Sequence, residues 1–178
     1  MPRIRVITAP EKITHSASDE LKTEFVDHPK VFLSGGITDC PDWQSELIRL
    51  IQNNVSYDLP DKPALGIYLL NPRRAVFQMG NVLYAKQQIQ WEHEMLRRAD
   101  IISFWFSRGS VNPIALFALG AHLLRNIVVG VDPDYPRRFD VFEQLALAVP
   151  DLIVQQRLED MAEQILYKST LFKYPNVI

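Results

Sequence analysis

The segment Asp100–Asp132, DIISFWFSRGSVNPIALFALGAHLLRNIVVGVD, contains the pattern that decides the fold. A continuously apolar run, DIISFWFS, leads into a loop rich in Ser, Gly and Asn, and an almost wholly apolar helix follows. The helix stops near Asn126, where a second apolar run, NIVVGVD, begins. Strands without polar alternation are typical of a parallel sheet covered on both faces. The segment therefore predicts a strand–helix–strand unit with two parallel strands.

The alternation of strands and helices extends in both directions, from residue 30 to residue 168. Three more buried strands are predicted, at Lys30–Gly36, Leu65–Arg74 and Asp151–Gln156. The remaining helices are predicted within residues 40–54, 81–98, 139–149 and 158–168. Arg3–Thr8 alternates and predicts a short strand at an edge. The expected fold is α/β and doubly wound: a flavodoxin- or Rossmann-like, five-stranded parallel sheet with helices on both faces.

The composition indicates an ordinary globular protein. With 178 residues, 47% apolar and 22% charged, we expect one domain, residues 1–178, with an N-terminal extension (1–29) and a C-terminal tail (169–178). A net charge of -2 gives no reason to expect binding to nucleic acid. The single cysteine, Cys40, fits a reducing cytoplasm, and no metal site or cofactor is expected. No signal peptide or membrane-spanning run is recognisable, so we expect a cytoplasmic protein.

The loops that follow the strands carry the residues suited to ligand binding. In such a sheet these loops meet at one edge, where ligands bind. Gly35 and Gly36 could bring backbone amides to a ligand, or could simply form a tight turn. Asn71 could likewise bind a ligand or form a turn. Arg73 and Arg74 could bind an anion, pair with a carboxylate or be solvated.

Glu92 is the most informative single residue. At about 100° per residue, Glu92 falls in the middle of a helix side formed by Ala85, Ile89, Leu96 and Ala99. A carboxylate on an apolar side is unfavourable unless it is paired or functional. It either bonds to a loop arginine or a backbone amide, or acts as a general acid or base with a raised pKa.

Two of the three tryptophans are candidates for stacking on a base. Trp105 lies in a predicted strand and is expected in the core. Trp43 and Trp91 could stack on a nucleobase, although a position in the core is also open to each of them.

Several of these motifs together resemble a known family. VFLSGGI with DW, then NPRR, QIQWEHEMLRRADIISFWF and PIALFALGAHL follow one another between Lys30 and Ile165. Their order and spacing resemble the nucleoside 2-deoxyribosyltransferase superfamily, in particular its nucleoside 2-deoxyribosyltransferase-like branch. The resemblance implies cleavage of the N-glycosidic bond of a nucleoside or nucleotide. The (deoxy)ribosyl group passes to a free nucleobase or to water through a glycosyl-enzyme intermediate.

The resemblance also implies roles for individual residues. The acidic residue facing the base corresponds to Glu92, and the glycine-rich turn corresponds to Ser34, Gly35 and Gly36. An aspartate that holds sugar hydroxyls corresponds to Asn112, which keeps hydrogen-bonding capacity without the charge. The other predicted substrate-binding residues are Trp43, Asn71, Arg73 and Arg74.

The nucleophile position departs from the family pattern. The ELG motif of the family corresponds here to Ala118–Leu119–Gly120, and alanine cannot form a glycosyl-enzyme intermediate. The chain is either an engineered, inactive form or a natural member that only binds or senses nucleosides. The engineered form is favoured because Glu92, the glycine turn and NPRR are retained. A coincidental match in a generic doubly wound binding domain is the third alternative.

The same resemblance predicts a homo-oligomer, since relatives commonly complete each active site from a neighbouring subunit. The tail LYKSTLFKYPNVI carries apolar groups beyond the helix end predicted near Lys168. These groups either fold back on their own domain or dock on a partner in a dimer, or a multiple of it, with Tyr174 reaching the partner's site.

Overall fold

The computed structural model describes residues 4–11, 28–54, 66–76 and 80–173, and this part of the chain forms an α/β fold around one parallel sheet. The strand order is β1-β3-β2-β4-β5-β6. The strands are β1 (Ile4–Thr8), β2 (Lys30–Gly35), β3 (Ile67–Asn71), β4 (Ile101–Phe106), β5 (Ile127–Val131) and β6 (Val154–Gln155). The predicted fold class is confirmed. The sheet has six strands rather than five, because the short N-terminal strand joins its edge beside β3.

Helices cover both faces of this sheet, as predicted. They are α1 (Trp43–Asn54), α2 (Val82–Arg98), α3 (Pro113–His122), α4 (Arg138–Ala148) and α5 (Leu158–Lys173). One apolar cluster joins the sheet to α2, α3 and α4, and a second joins the opposite face to α1 and α5. Alternate side chains of β4 belong to the two clusters: Phe104 and Phe106 pack on one face of the sheet and Trp105 on the other.

The last helix is longer than predicted. It continues to Lys173 rather than ending near Lys168, so Leu171 and Phe172 belong to the helix and not to a tail. Ser169 is buried, and its hydroxyl donates to the Ile165 carbonyl one turn earlier. Tyr174, whose predicted role concerned a partner's site, lies outside the described residues.

The predicted apolar side of α2 is wrong in its placement. Ile89 is 66% exposed, and the buried face consists instead of Gln88, Trp91 and Met95. Trp91 and Met95 remove more apolar surface from water than Ile89 would, so the helix turns these two side chains towards the sheet. Glu92 consequently lies on the flank of the buried face, and it is partly rather than fully buried.

The order of the strands creates a topological switch point between β2 and β4. From β2 the chain crosses to β3 on one side, and it then returns past β2 to β4 on the other side. The loops after β2 and β4 therefore diverge at a topological switch point, the usual binding position in open α/β sheets. These loops are residues 36–42, before α1, and residues 107–112, before α3.

Candidate active site

The glycine turn after β2 is packed directly against the loop after β4. A Cβ atom on Gly36 would lie 2.7 Å from Asn112 Cγ, and nearer still to Asn112 Oδ1 and Cys40 Sγ. At Gly35 it would overlap the Trp105 carbonyl oxygen and lie 2.5 Å from the Trp43 ring. Protein atoms thus already occupy the space beside both glycines. Close packing accounts for this part of the motif, and contact with a ligand stays a prediction for Gly35, Gly36 and the buried Ser34.

Trp43 packs against the glycine turn. Its indole is 2% exposed, and Nε1 donates to the Gly36 carbonyl oxygen at 2.9 Å. Trp91 is 5% exposed and packs at a tilt against Phe32. Neither ring offers an open face to a base, so stacking is wrong for both, and the alternative of a core position holds. Trp105 is buried in β4, as predicted.

The two arginines of NPRR turn to different parts of the molecule. Asn71 Oδ1 accepts from the Arg73 amide at 3.0 Å, which makes Asn71 the start of a local turn. Arg73 Nε donates to Gln44 Oε1 at 2.8 Å and lies 3.2 Å from Asp42 Oδ1, while its Nη2 donates to the Pro41 carbonyl oxygen at 3.0 Å. Arg73 is therefore committed to holding the loop that leads into α1.

Arg74 instead joins a polar network on α2. Its Nε donates to Gln88 Oε1 at 2.6 Å and its Nη1 donates to Gln87 Oε1 at 3.0 Å. Gln88 Nε2 donates both to the Pro72 carbonyl oxygen, at 2.8 Å, and to Glu92 Oε1, at 2.6 Å. Arg74 Nη2 is buried without a hydrogen-bond partner in the described structure. The guanidinium of Arg74, whose charge acts on the Glu92 carboxylate, therefore has one nitrogen available for a further hydrogen bond.

The carboxyl group of Glu92 is in an environment that favours its protonated form. Burial raises the pKa of its carboxyl group, and this effect exceeds the lowering by the Gln88 hydrogen bond and by the positive charge of Arg74. A larger fraction of Glu92 is thus protonated near neutral pH than for an ordinary glutamate. Among the described residues, the hydrogen-bond partner of Glu92 is Gln88, and not an arginine or a backbone amide as one alternative held.

Asn112 stands at the start of α3 in a left-handed conformation, with φ 52° and ψ 53°. It is 5% exposed, and its Nδ2 donates to the Ser107 carbonyl oxygen at 3.2 Å. Its Oδ1 accepts from Cys40 Sγ at 3.2 Å. Asparagine tolerates this backbone region better than most residues. The Oδ1 end connects Asn112 to the loop after β2, the Nδ2 end holds its own loop after β4, and hydrogen bonding to a sugar stays a prediction.

Ala118 lies six residues further along, on the second turn of α3. It is partly buried and packs beside the apolar cluster between the helix and the sheet. Arg125 Nη1, just beyond α3, donates to the Leu96 carbonyl oxygen of α2 at 2.6 Å. The helices that carry Ala118 and Glu92 are therefore neighbours on the same face of the sheet.

Comparison with known families assigns the chain to one of them. A family model described as nucleoside 2-deoxyribosyltransferase like matches residues 28–135, which is more than half of the 178-residue chain. The chain belongs to the nucleoside 2-deoxyribosyltransferase-like family. The matched range runs from the residues before β2 to beyond β5, so it includes both switch-point loops, Glu92 and Ala118. No curated protein matches the chain at a significant level.

Two buried glutamines of the candidate site were not identified from the sequence. Gln44 and Gln88 are both buried and connect the two arginines to their helices. Gln88 could have been found, since it precedes Glu92 by four residues and residues at that spacing are neighbours on a helix. Gln44 follows the buried Trp43 directly, and nothing in its spacing distinguishes it from a solvated residue.

Two general properties complete the description of the site's surroundings. Among the residues that the structure describes, no group of three or more His, Cys, Asp or Glu side chains is placed to hold a metal ion. Within the same ranges, no helix combines the length and the apolar character needed to cross a membrane.

Proposed function

We propose that the protein has the active-site framework of an enzyme that cleaves the N-glycosidic bond of a (deoxy)nucleoside or nucleotide. The (deoxy)ribosyl group would pass to another base or to water. The observation that carries the proposal is Glu92, a partly buried carboxyl group with a raised pKa in a member of this family. Glu92 supplies the acid, and position 118 is where the nucleophile would act.

The reaction needs two carboxyl groups. A carboxylate at position 118 attacks the anomeric carbon, and the bond from that carbon to the base breaks with its electron pair going to the base. Glu92 gives its proton to the departing base, so the base leaves neutral. An incoming base or water then attacks the same carbon, Glu92 takes a proton from it, and the carboxylate at position 118 is released. Ala118 cannot perform the first step, so the chain as it stands forms no covalent intermediate.

Arg74 is the better of the two arginines for substrate binding. Arg73 is held by Gln44 and the loop before α1, whereas Arg74 Nη2 has no protein partner in the described structure. A guanidinium donor of this kind suits a phosphate oxygen of a nucleotide or a carbonyl oxygen of a base. Gly36 and Asn112 would shape the opposite wall, where the loops after β2 and β4 meet.

A second function, nucleoside or nucleotide binding without catalysis, is favoured by Ala118 itself. The methyl group leaves the fold of α3 intact, since alanine is the best helix former. The binding groups around Arg74 and Glu92 do not depend on a nucleophile. In this case the protein would bind its ligand and release it unchanged.

The decisive experiment restores the carboxylate. Ala118→Glu should raise the rate of base release or base exchange by several orders of magnitude, because no glycosyl-enzyme intermediate can form without the carboxylate. The matched control is Ala118→Gln, which has the same size and no nucleophilic oxygen anion. Both variants are incubated with deoxynucleosides, their 5′-monophosphates and free bases, and the products are separated by chromatography. Equal activity in the two variants would remove position 118 from the mechanism.

A further substitution tests the acid. Glu92→Gln, made in the Ala118→Glu protein, should lower turnover far more than it lowers thermal stability, because it keeps the shape and removes the titrating group. Unchanged turnover would make Glu92 a structural residue.

We also propose that the protein is a homo-oligomer, a dimer or a multiple of it. Large apolar side chains on α2 and α3 are exposed on the face of these helices that points away from the sheet. They are Val82 (78%), Leu83 (77%), Ile89 (66%), Ile114 (71%) and Phe117 (76%). A second copy of the chain would cover them. We propose this face of α2 and α3, rather than the C-terminal residues, as the interface; Leu171 and Phe172 belong to α5.

A further inference from the structure

Gln88 connects three parts of the candidate site through one side-chain amide. It is 9% exposed, and it lies on α2 one turn before Glu92. Its Oε1 accepts from Arg74 Nε at 2.6 Å. Its Nε2 donates to the Pro72 carbonyl oxygen at 2.8 Å and to Glu92 Oε1 at 2.6 Å. Both amide hydrogens and the amide oxygen are therefore used.

The partners of this amide fix its orientation. A guanidinium nitrogen can only donate, so the oxygen of Gln88 must face Arg74. The Pro72 carbonyl can only accept, so the amide nitrogen must face that carbonyl and Glu92. The opposite orientation of the amide would bring donor against donor and acceptor against acceptor. Gln88 thus always presents an N–H group to Glu92 Oε1.

This constraint decides where a proton on Glu92 resides. Oε1 accepts from Gln88 at 2.6 Å, and a proton on Oε1 would compete with that hydrogen bond. The other carboxyl oxygen, Oε2, is free of this constraint. Arg74, from the loop after β3, is the charged neighbour whose field acts on Glu92, and it favours the ionised form.

We propose that Gln88 is a positioning residue that holds Oε1 of Glu92 as an acceptor, so that Oε2 is the oxygen that carries the proton and exchanges it with the base. The part of this statement that concerns the base rests on the proposed function. When the base leaves, the Oε2–H bond breaks, the proton moves to a nitrogen of the base, and its electron pair stays on Oε2. The N–H group of Gln88 then stabilises the carboxylate that remains. The reverse transfer serves the incoming base.

The test measures the proton affinity of Glu92 in the chain as it stands. Carboxyl resonances of ¹³C-glutamate-labelled protein are titrated, and the Glu92 resonance is assigned by its loss in Glu92→Gln. Gln88→Met keeps the length of the side chain and removes its hydrogen bonds. Loss of a donor to the charged form should raise the proton affinity of Glu92 roughly tenfold, and so raise its pKa.

Two further variants make the result specific. Gln87→Met removes the neighbouring bond to Arg74 Nη1 without touching Glu92, and it should leave the titration of Glu92 unchanged. Gln88→Leu removes the same hydrogen bonds without adding a charge, and it should raise the pKa of Glu92 even if Gln88→Met folds poorly. An unchanged or lowered pKa of Glu92 in the Gln88 variants, or an equal rise in Gln87→Met, overturns the proposal.

Kinetics in the Ala118→Glu protein separate this proposal from the proposed function. Adding Gln88→Met should lower kcat about tenfold or more and move the alkaline limb of its pH profile to higher pH, following Glu92. A merely structural role would lower activity without moving that limb, and this outcome overturns the positioning role. If Ala118→Glu is inactive, the proposed function fails, while the titration still decides whether Gln88 controls Glu92.

Discussion

Replacing Gly36 with alanine should destabilise the protein, because the side chain of Asn112 occupies the space that the new methyl group needs. The added Cβ would lie 2.7 Å from Asn112 Cγ, well inside van der Waals contact. Asn112 can move only by weakening its hydrogen bonds to the Ser107 carbonyl oxygen and to Cys40 Sγ, both 3.2 Å long. Overpacking of this kind costs about 1–3 kcal/mol. With about 1 kcal/mol for a lost hydrogen bond, the free energy of unfolding should fall by roughly 2–4 kcal/mol.

Thermal unfolding followed by circular dichroism measures this effect. In a chain of this size each kcal/mol shifts Tm by about 2–4 °C, so Gly36→Ala should lower Tm by roughly 4–16 °C. The matched control is Gly120→Ala on α3, where an added Cβ would meet no atom within 4 Å. Alanine should stabilise that helix by about 0.5–1 kcal/mol and raise Tm slightly. An equal Tm for the two variants would refute the close contact between the two switch-point loops.

Two other predictions concern pH and assembly. Burial raises the pKa of Glu92 above its unfolded value of about 4.3. Between the unfolded and the folded pKa the folded state binds more protons than the unfolded state, so the protein loses stability as pH rises through this range. Glu92→Gln should therefore be more stable than the parent at pH 7 and should lose this advantage at about pH 4, as measured by urea unfolding. The chain should sediment as a dimer or larger at micromolar concentration. Phe117→Glu should weaken this association at least about tenfold, whereas Phe139→Glu, a control that is 74% exposed on α4, should not. A monomeric parent chain, or no pH dependence in the Glu92 comparison, would contradict the respective prediction.

The architecture could be predicted from the sequence because its central strands are almost continuously apolar rather than alternating. β3, β4 and β5 are buried along their whole length, and this is the pattern that distinguishes a covered parallel sheet. The end of α5 could not be placed by the same means. The helical periodicity of apolar residues is clear only up to Lys168, so the pattern assigns Leu171 and Phe172 to a tail. Pro175 is the first strong signal against a helix, and α5 continues almost to it.

A position for the candidate site could be proposed from the sequence, whereas its contacts could not. Glu92 was singled out because a carboxylate among apolar helix positions is unfavourable unless it has a role, although the apolar side assigned to that helix was wrong. Arg73 and Arg74 are adjacent, and no local pattern separates them. In the folded protein Arg73 reaches α1 and Arg74 reaches α2, and these helices pack on opposite faces of the sheet. Only the folded positions of Gln44 and Gln88 decide which arginine keeps a free donor.

Arg74 Nη2, which has no hydrogen-bond partner in the described structure, helps to decide whether a chain with Ala118 can still bind a ligand. A buried donor without a partner destabilises a protein by about 1–3 kcal/mol, and more when it is charged. Apolar side chains of similar volume in place of such a polar network would leave the fold equally stable or more so. Arg74, Gln88 and Glu92 therefore make physical sense as groups that a ligand completes. Because none of the hydrogen bonds that the structure describes for these three side chains involves α3, an alanine at the proposed nucleophile position, 118, would leave these binding groups in place. On this reasoning the chain with Ala118 should still bind the substrate that the chain with glutamate would cleave.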